Sequence, residues 1–236
     1  MAIICKFREI AAVSLFSICT VSNAATVYLA GDTVDFYYDN AQPGMAAYGT
    51  LYVIGNSISA QSVNLSADAA NGNSTSVDAL GTITIVAHSG YGFDFVQVAQ
   101  FGDYALQGAG ASAGVNSTLF VEDSSNSATS SDSTLTVSGL GINDGGTHEW
   151  QAIGGFDLST ASWNNVNSIE LSLDTLLSAT TLANGESAFT ESKYVAGGLV
   201  TIETSAVPVP AAVWLFGSGL LGLAGVARRS DKPSKS

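Results

Sequence analysis

The chain has 236 residues, of which 46% are hydrophobic and 11% charged, against about 25% charged residues in an average soluble domain. Its formal net charge is −13, and residues 25–207 hold 18 of the 20 acidic residues but a single base, Lys193, for a net charge of −17. The apolar content excludes an intrinsically disordered chain, and the acidic balance excludes nucleic acid as a partner because phosphate binding requires a basic surface.

Residues 1–24 have the pattern of a secretory signal peptide. Lys6 and Arg8 form a basic start, residues 10–19 form a short apolar run, and Ser22 and Ala24 are small residues suited to the −3 and −1 positions of a cut. We therefore predict cleavage between Ala24 and Ala25. The apolar run is too short for a membrane span, which needs about 20 residues.

Two other interpretations of this segment are disfavoured. A buried N-terminal helix lacks an amphipathic pattern. A lipoprotein would use Cys19, but the residue before it is Ile18, where a small residue is normal. Because Cys5 and Cys19 both leave with the signal, we expect a mature chain without disulfides, thiol nucleophiles or thiolate metal sites.

The rest of the chain up to residue 207 consists of short alternating apolar and polar runs separated by Gly, Asn, Asp and Ser. We predict strands at 26–29, 33–38, 49–54, 57–65, 81–87, 93–101, 118–121, 133–137, 149–153, 168–173, 188–195 and 199–204. No window resembles an amphipathic helix. Short strands without βαβ alternation predict one all-β domain over 25–206, an antiparallel β-sandwich with jelly-roll-like character.

Three segments are expected to be loops. Residues 122–134 (EDSSNSATSSDST) are acidic, Ser-rich and of low complexity. Residues 67–76 (ADAANGNSTS) have a similar composition, and residues 173–182 are the least strand-like of the second half. No fixed period is present, which disfavours a solenoid or a propeller.

Signals of catalysis are weak. His88 and His148 are isolated among small polar residues, which is more typical of turn or surface histidines than of a triad or a metal site. No Gly-x-Ser-x-Gly motif occurs. Carboxylate pairs suited to glycoside hydrolysis are expected by chance among 18 acids, so we predict no catalytic residue and no enzyme activity. These pairs are Asp32/Asp35, Glu122/Asp123 and Asp144/Glu149.

Two binding interpretations remain open. Residues 32–40 and 143–146 supply oxygen ligands of the kind that calcium prefers, but neither fits the twelve-residue calcium loop. Four aromatic residues could stack on sugar rings, although core packing explains aromatics in a β-sandwich more simply. They are Tyr91, Tyr104, Trp150 and Trp163. We predict no metal ligand and no cofactor.

The C-terminal end predicts a transmembrane helix. Residues 211–227 are 17 consecutive uncharged residues, close to the minimum for a span. The basic cluster that begins at Arg228 and Arg229 follows at once, so residues 230–236 are predicted to be a cytoplasmic tail. The glycines of this helix have two explanations. Either they let another membrane helix pack closely against it, or they are present because glycine is common in membrane spans.

The residues Val207-Pro208-Val209-Pro210, followed by AAVWLFGSGLLGLAGVARR, resemble the PEP-CTERM sorting signal, also known as the ice-binding protein C-terminal domain. The resemblance covers residues 207–229 and departs from the family at Val209, where the motif has Glu. It implies an exosortase-type membrane peptidase as partner and a Gram-negative bacterium that makes exopolysaccharide. Independently of the family, two prolines keep this segment extended, as a peptidase substrate must be.

A looser resemblance to ectodomains of the same family lies in residues 90–93, 101–104, 188–193 and 197–198, and it implies no activity. We expect an exported, non-enzymatic protein of the cell envelope or exopolysaccharide matrix. Its precursor would reside in the inner membrane and its mature form at the cell surface or in the extracellular matrix. A carbohydrate- or calcium-dependent binding module with the same tail is the alternative, and a secreted hydrolase is the third class.

Overall fold

The computed structural model describes residues 25–61, 63–193 and 199–207, and within them almost every residue that belongs to a regular element is in a strand. The strands are β1 (Thr26–Ala30), β2 (Val34–Asp39), β3 (Leu51–Ile54), β4 (Ser57–Ala60), β5 (Leu65–Ala70), β6 (Ser74–Ala87), β7 (Tyr91–Gln107), β8 (Ser112–Asp123), β9 (Asn126–Thr134), β10 (Thr136–Ser138), β11 (Thr147–Asp157), β12 (Ser168–Thr180), β13 (Ser187–Lys193) and β14 (Val200–Ala206). A short helix α1 (Pro43–Ala47) and a 3-10 helix (Ala161–Trp163) join them.

A six-stranded sheet has the order β1-β2-β6-β12-β8-β9, and all of its pairings are antiparallel. Strand β12 lies at its centre, with Leu171 opposite Ile83 of β6 and Val121 of β8. These side chains are buried, whereas the residues that alternate with them face outward. This period-two pattern is what a sheet with one covered face requires.

The eight-stranded sheet is organised by β7, its longest strand. Strand β11 pairs with β7 along one side. The other side is shared, because β14 pairs with the first half of β7 and β13 with the second half. Strands β4 and β3 continue the sheet beyond β14, β5 continues it beyond β13, and β10 closes the far edge beside β11. The last described strand, β14, therefore lies between β7 and β4 at its first two residues and continues along β7 alone.

The two sheets pack face to face around one apolar core. Val96 and Val98 of β7 and Ile85 and Ile169 of the opposite sheet are all completely buried. Full burial of such a side chain contributes about 1.5–3 kcal/mol relative to exposure. The structure is thus an all-β antiparallel sandwich, as the alternating runs predicted.

A buried polar cluster bridges the two sheets at the centre of this core. Gln100 of β7 donates from Nε2 to Thr175 Oγ1 of β12 at 2.7 Å, and Ser117 Oγ of β8 donates to Gln100 Oε1 at 2.6 Å. The Tyr48 hydroxyl lies 3.3 Å from Thr175 Oγ1. Burial raises the pKa of Tyr48 to about 12, because a phenolate would lose its hydration there.

The three predicted loops are wrong. Residues 122–134 form the end of β8, a tight turn and the edge strand β9; residues 67–76 contain the end of β5 and the start of β6; and residues 173–182 contain the second half of β12. In β9 neither face is covered, so the strand needs no apolar alternation. In β5 the buried residues are Leu65 and small alanines, whose apolar signal is weak.

The predicted leader and tail fall almost entirely outside the described residues. Residues 1–24, with Ala24, and residues 208–236, with Pro208, Val209, Pro210, Arg228 and Arg229, are not described, whereas Ala25 and Val207 are. No helix in the described part of the chain is long and apolar enough to cross a membrane, and the predicted span 211–227 lies outside that part.

Candidate functional site

Three carboxylates stand side by side on the outer face of the eight-stranded sheet. Asp103 of β7 is paired in register with Glu149 of β11 on one side and with Glu191 of β13 on the other. Side chains of directly opposed residues project from the same face, with Cβ atoms about 4.5–5.5 Å apart. The sheet register therefore assembles an acidic row from three distant segments of the chain.

Lys193 is the cation of this row, and it is the only Lys or Arg among the described residues. Its Nζ forms an ion pair with Asp103 and lies 3.6 Å from Glu191 Oε1. The Lys193 pKa is raised, chiefly by the hydrogen bond to Asp103 and further by the negative charges of Asp103 and Glu191. Asp103 is the most buried of the three carboxylates, and Lys193 supplies its countercharge.

Asp103 and Glu149 of this row, together with Lys193, border a cavity of about 560 Å³, which we call the carboxylate pocket. Its lining is Phe101, Gly102, Asp103, Ser138, Gly139, Glu149, Trp150, Gln151 and Lys193. Trp150 is buried and donates from Nε1 to the carbonyl of Glu191 at 3.1 Å. A Cβ at position 102 would lie 2.4 Å from the Trp150 ring and 1.9 Å from that carbonyl, so only glycine lets the indole cross the strand.

The carboxylate pocket contains the countercharge of its most buried carboxylate. Lys193 already neutralises Asp103, and among the described residues no group of three or more His, Cys, Asp or Glu side chains is arranged to hold a metal ion. Glu149 and Gln151 remain exposed at the rim. Sequence reasoning missed Asp103, Glu191 and Lys193 because alternation indicates only that each faces outward, and their proximity depends on the register.

The carboxylates of the three pairs that the sequence analysis attributes to chance have different surroundings in the fold. Glu149 contributes to the pocket with Asp103, while the Asp144 carboxylate lies in a loop, 2.7 Å from His148 Nε2. Glu122 and Asp123 are successive residues of β8 and so project to opposite faces. The Asp35 carboxylate lies 3.0 Å from His88 Nε2.

Three of the four carboxylates in the two candidate calcium stretches, those of Asp35, Asp39 and Asp144, accept hydrogen bonds from nearby groups of the domain. Asp144 Oδ1 accepts from the amide of Gly146 at 2.8 Å, and the hydrogen bond with His148 is the main cause of the lowered pKa of Asp144. Residues 32–40 become β2 and its turns, in which Asp35 accepts from the Tyr28 hydroxyl and Asp39 from the Ala41 amide. Each of the two histidines, which are 60 residues apart in the sequence, therefore has its own acidic partner.

The four aromatic candidates differ in their exposure to solvent. Trp150, Trp163 and Tyr104 are at most 7% exposed and belong to the core, whereas Tyr91 is 39% exposed. Tyr91 lines an open groove of about 670 Å³ at the end of the sandwich from which the chain leaves β14; we call it the Tyr91 groove. Its lining is Gly90, Tyr91, Gly92, Phe93, Asp94, Leu158, Ser159, Trp163, Asn164, Asn165, Val166, Asn167, Ser205, Ala206 and Val207.

Comparison with known proteins does not assign the chain to a class. No protein-family model matches it, and neither the curated proteins nor the solved structures contain a significant match. The particular role of the protein must therefore be proposed from its own residues.

Proposed function

We propose that this chain is an exported, non-enzymatic protein of the cell envelope or exopolysaccharide matrix, sorted through its C-terminal tail. In this proposal the jelly-roll-like sandwich is the ectodomain, and residues 211–227 form a transmembrane helix in the inner-membrane precursor. An exosortase-type peptidase recognises the segment Val207-Pro208-Val209-Pro210 and releases the ectodomain to the cell surface or the matrix.

The observation that carries the proposal is the way in which the folded domain ends. Strand β14 pairs with β7 from Val200 to Ala206, and the Val207 amide then donates to the Gly90 carbonyl at 2.8 Å. The next residue, Pro208, has no amide hydrogen and cannot continue such a ladder. Val207, the first residue of the motif, is thus the last described residue and is still bonded to the sheet, so a cut at or after the prolines would leave every described strand intact.

The position of β14 supports the same role. It pairs with β7 from Val200 to Ala206 and with β4 at Val200 and Thr201, so the segment before the tail is held in the larger sheet. At the other end, β1 begins at Thr26, two residues after the predicted signal cut. Both predicted processing sites therefore bracket the fold without interrupting it.

The tail has the physical properties that a transient anchor needs. A helix of 17 residues covers about 26 Å at about 1.5 Å per residue, just short of the hydrocarbon core. Its four glycines, at 217, 219, 222 and 225, weaken it by about 1 kcal/mol each relative to alanine. Arg228 and Arg229 would stop translocation and hold the Pro-x-Pro segment just outside the bilayer.

The test is to replace Pro208 and Pro210 together by Ala in the full chain and to express it in a Gram-negative host that encodes an exosortase. Without the prolines the helix can extend back through the motif and hide the extended segment. We expect an uncleaved precursor in the inner membrane and less protein at the surface or in the medium.

Pro233→Ala is the matched control, since it removes a proline beyond the basic cluster. It should be processed like the parent. If the double variant and the parent are distributed identically, and the parent's mature form still contains Arg228 and Arg229, the tail is an ordinary anchor and the proposal is wrong.

A further inference from the structure

The Tyr91 groove lies between two parts of the chain at one end of the sandwich. One wall is formed by the start of β7 and the end of β14, with Tyr91 and Val207 at its rim. The other wall is the segment 164–167, which follows the 3-10 helix. Buried Phe93, Leu158 and Trp163 form an apolar floor between the walls. The groove therefore offers an apolar base and polar sides.

The polar side consists of amides with unused hydrogen-bonding capacity. Asn164, Asn165 and Asn167 are exposed, and none of their side chains has a hydrogen-bond partner among the described residues. Each amide carries an acceptor oxygen and a donor nitrogen side by side. Asn165 also has a positive φ of 68°, a conformation that residues other than glycine adopt infrequently.

The groove has no basic residue to attract an anion. It contains no Lys, Arg or His, and its single carboxylate, Asp94, accepts a hydrogen bond from Ser205 Oγ at 2.8 Å. The surrounding domain carries a net charge of −17. An anionic ligand would meet a repulsive field without a cation to pair with.

We propose that the Tyr91 groove binds a neutral saccharide. A sugar ring has an apolar face of C–H groups, which are polarised by the ring oxygens and suit the electron-rich face of an aromatic side chain such as Tyr91. Its edge carries neighbouring hydroxyls, each both a donor and an acceptor, which can satisfy the two functions of an Asn amide together. An apolar floor, one exposed aromatic ring and free amides thus match both parts of a pyranose.

This inference adds a ligand class to the proposed matrix role and makes no use of the sorting tail. Binding and processing are measured separately, so either can fail while the other stands. The acidic carboxylate pocket lies on the outer face of the sheet and does not share a lining residue with the Tyr91 groove.

The test uses the full chain in a detergent without a sugar headgroup, applied to a printed array of neutral and uronic-acid oligosaccharides. We expect binding to at least one neutral glycan and preference over its uronic-acid counterpart. Calorimetry with that glycan should show that Tyr91→Ala weakens binding by about tenfold or more, as for loss of an aromatic anchor. Tyr91→Phe, which keeps the ring, should bind within about threefold of the parent.

Tyr28→Ala is the matched control because Tyr28 is 54% exposed on the other sheet. It should bind like the parent, and a circular dichroism spectrum of each variant checks that the fold is kept. The inference is overturned if no neutral glycan binds, if only acidic glycans bind, or if Tyr91→Ala binds as tightly as Tyr28→Ala.

Discussion

The polar bridge between the two sheets makes a quantitative prediction about Gln100. Gln100→Leu removes both of its hydrogen bonds and leaves two fully buried hydroxyls, those of Ser117 and Thr175, without their best partner. A buried polar group that loses its partner costs about 1–3 kcal/mol. Only longer contacts remain: the two hydroxyls stay 3.4 Å from each other, and the Thr175 hydroxyl also stays 3.3 Å from that of Tyr48. We therefore expect a loss of about 3 kcal/mol in the free energy of unfolding.

The assay is equilibrium denaturation of residues 25–207 expressed without either end. In a domain of this size, 1 kcal/mol corresponds to about 2–4 °C in Tm, so Gln100→Leu should melt about 6–12 °C below the parent. Gln97→Leu is the matched control, since Gln97 lies on the same strand but is exposed. Its free energy of unfolding should stay within about 0.5 kcal/mol of the parent.

A triple variant distinguishes the loss of stability caused by missing hydrogen bonds from that caused by poorer packing. Adding Ser117→Ala and Thr175→Val to Gln100→Leu removes the stranded hydroxyls, and Tyr48 keeps the carbonyl of Ala79 as an acceptor at 3.4 Å. Replacing all partners by apolar groups is close to neutral, so the triple variant should recover at least part of the loss. The reasoning is refuted if Gln100→Leu unfolds like Gln97→Leu, or if the triple variant is less stable than Gln100→Leu.

Three further predictions concern the pocket, the pH response and the isolated domain. Gly102→Ala should destabilise the domain by about 1–3 kcal/mol through overpacking and should change the fluorescence emission of Trp150. An unchanged denaturation midpoint together with an unchanged emission spectrum would contradict the clash at this position. Glu186 accepts three backbone amides, from Gly110, Leu182 and Ala183, and they lower its pKa. The stabilisation that the Glu186 carboxylate provides is therefore present above its pKa in the unfolded chain and is lost as the pH falls through its pKa in the folded domain. The loss in free energy of unfolding caused by Glu186→Gln should become smaller in acid, and a loss that does not change with pH would disprove this. Residues 25–207 alone should be soluble, with a strand-type far-UV spectrum; a helical spectrum would refute the fold.

The sequence predicted the fold wherever one face of a strand is buried and the other exposed. In β6 and β12, Ile83, Ile85, Ile169 and Leu171 alternate with polar residues, and all four lie in the core. The second half of β12 was missed because it places Thr175 inward and Leu176 outward, which inverts the expected pattern. Thr175 is tolerated there because Gln100, from the opposite sheet, bonds to it, and a local pattern cannot reveal such a partner.

The candidate sites were predicted only in part. Tyr91 was among the aromatic candidates, but exposure distinguishes it from Trp150 and Trp163, and exposure is a property of the assembled sandwich. The acidic row of the carboxylate pocket depends on how β11, β7 and β13 are aligned. A shift of one residue in either pairing would turn the neighbouring carboxylate to the other face, so no analysis of separate segments could assemble it.

The most direct test of the central claim is the intact mass of the mature protein recovered from the cell surface or the medium of an exosortase-encoding host. Export and sorting together predict a chain that begins at Ala25 and ends within or just after Val207-Pro208-Val209-Pro210, with every strand from β1 to β14 retained. A mature protein that begins at Met1 or at a lipidated Cys19, or that keeps Arg228 and Arg229, would contradict the account.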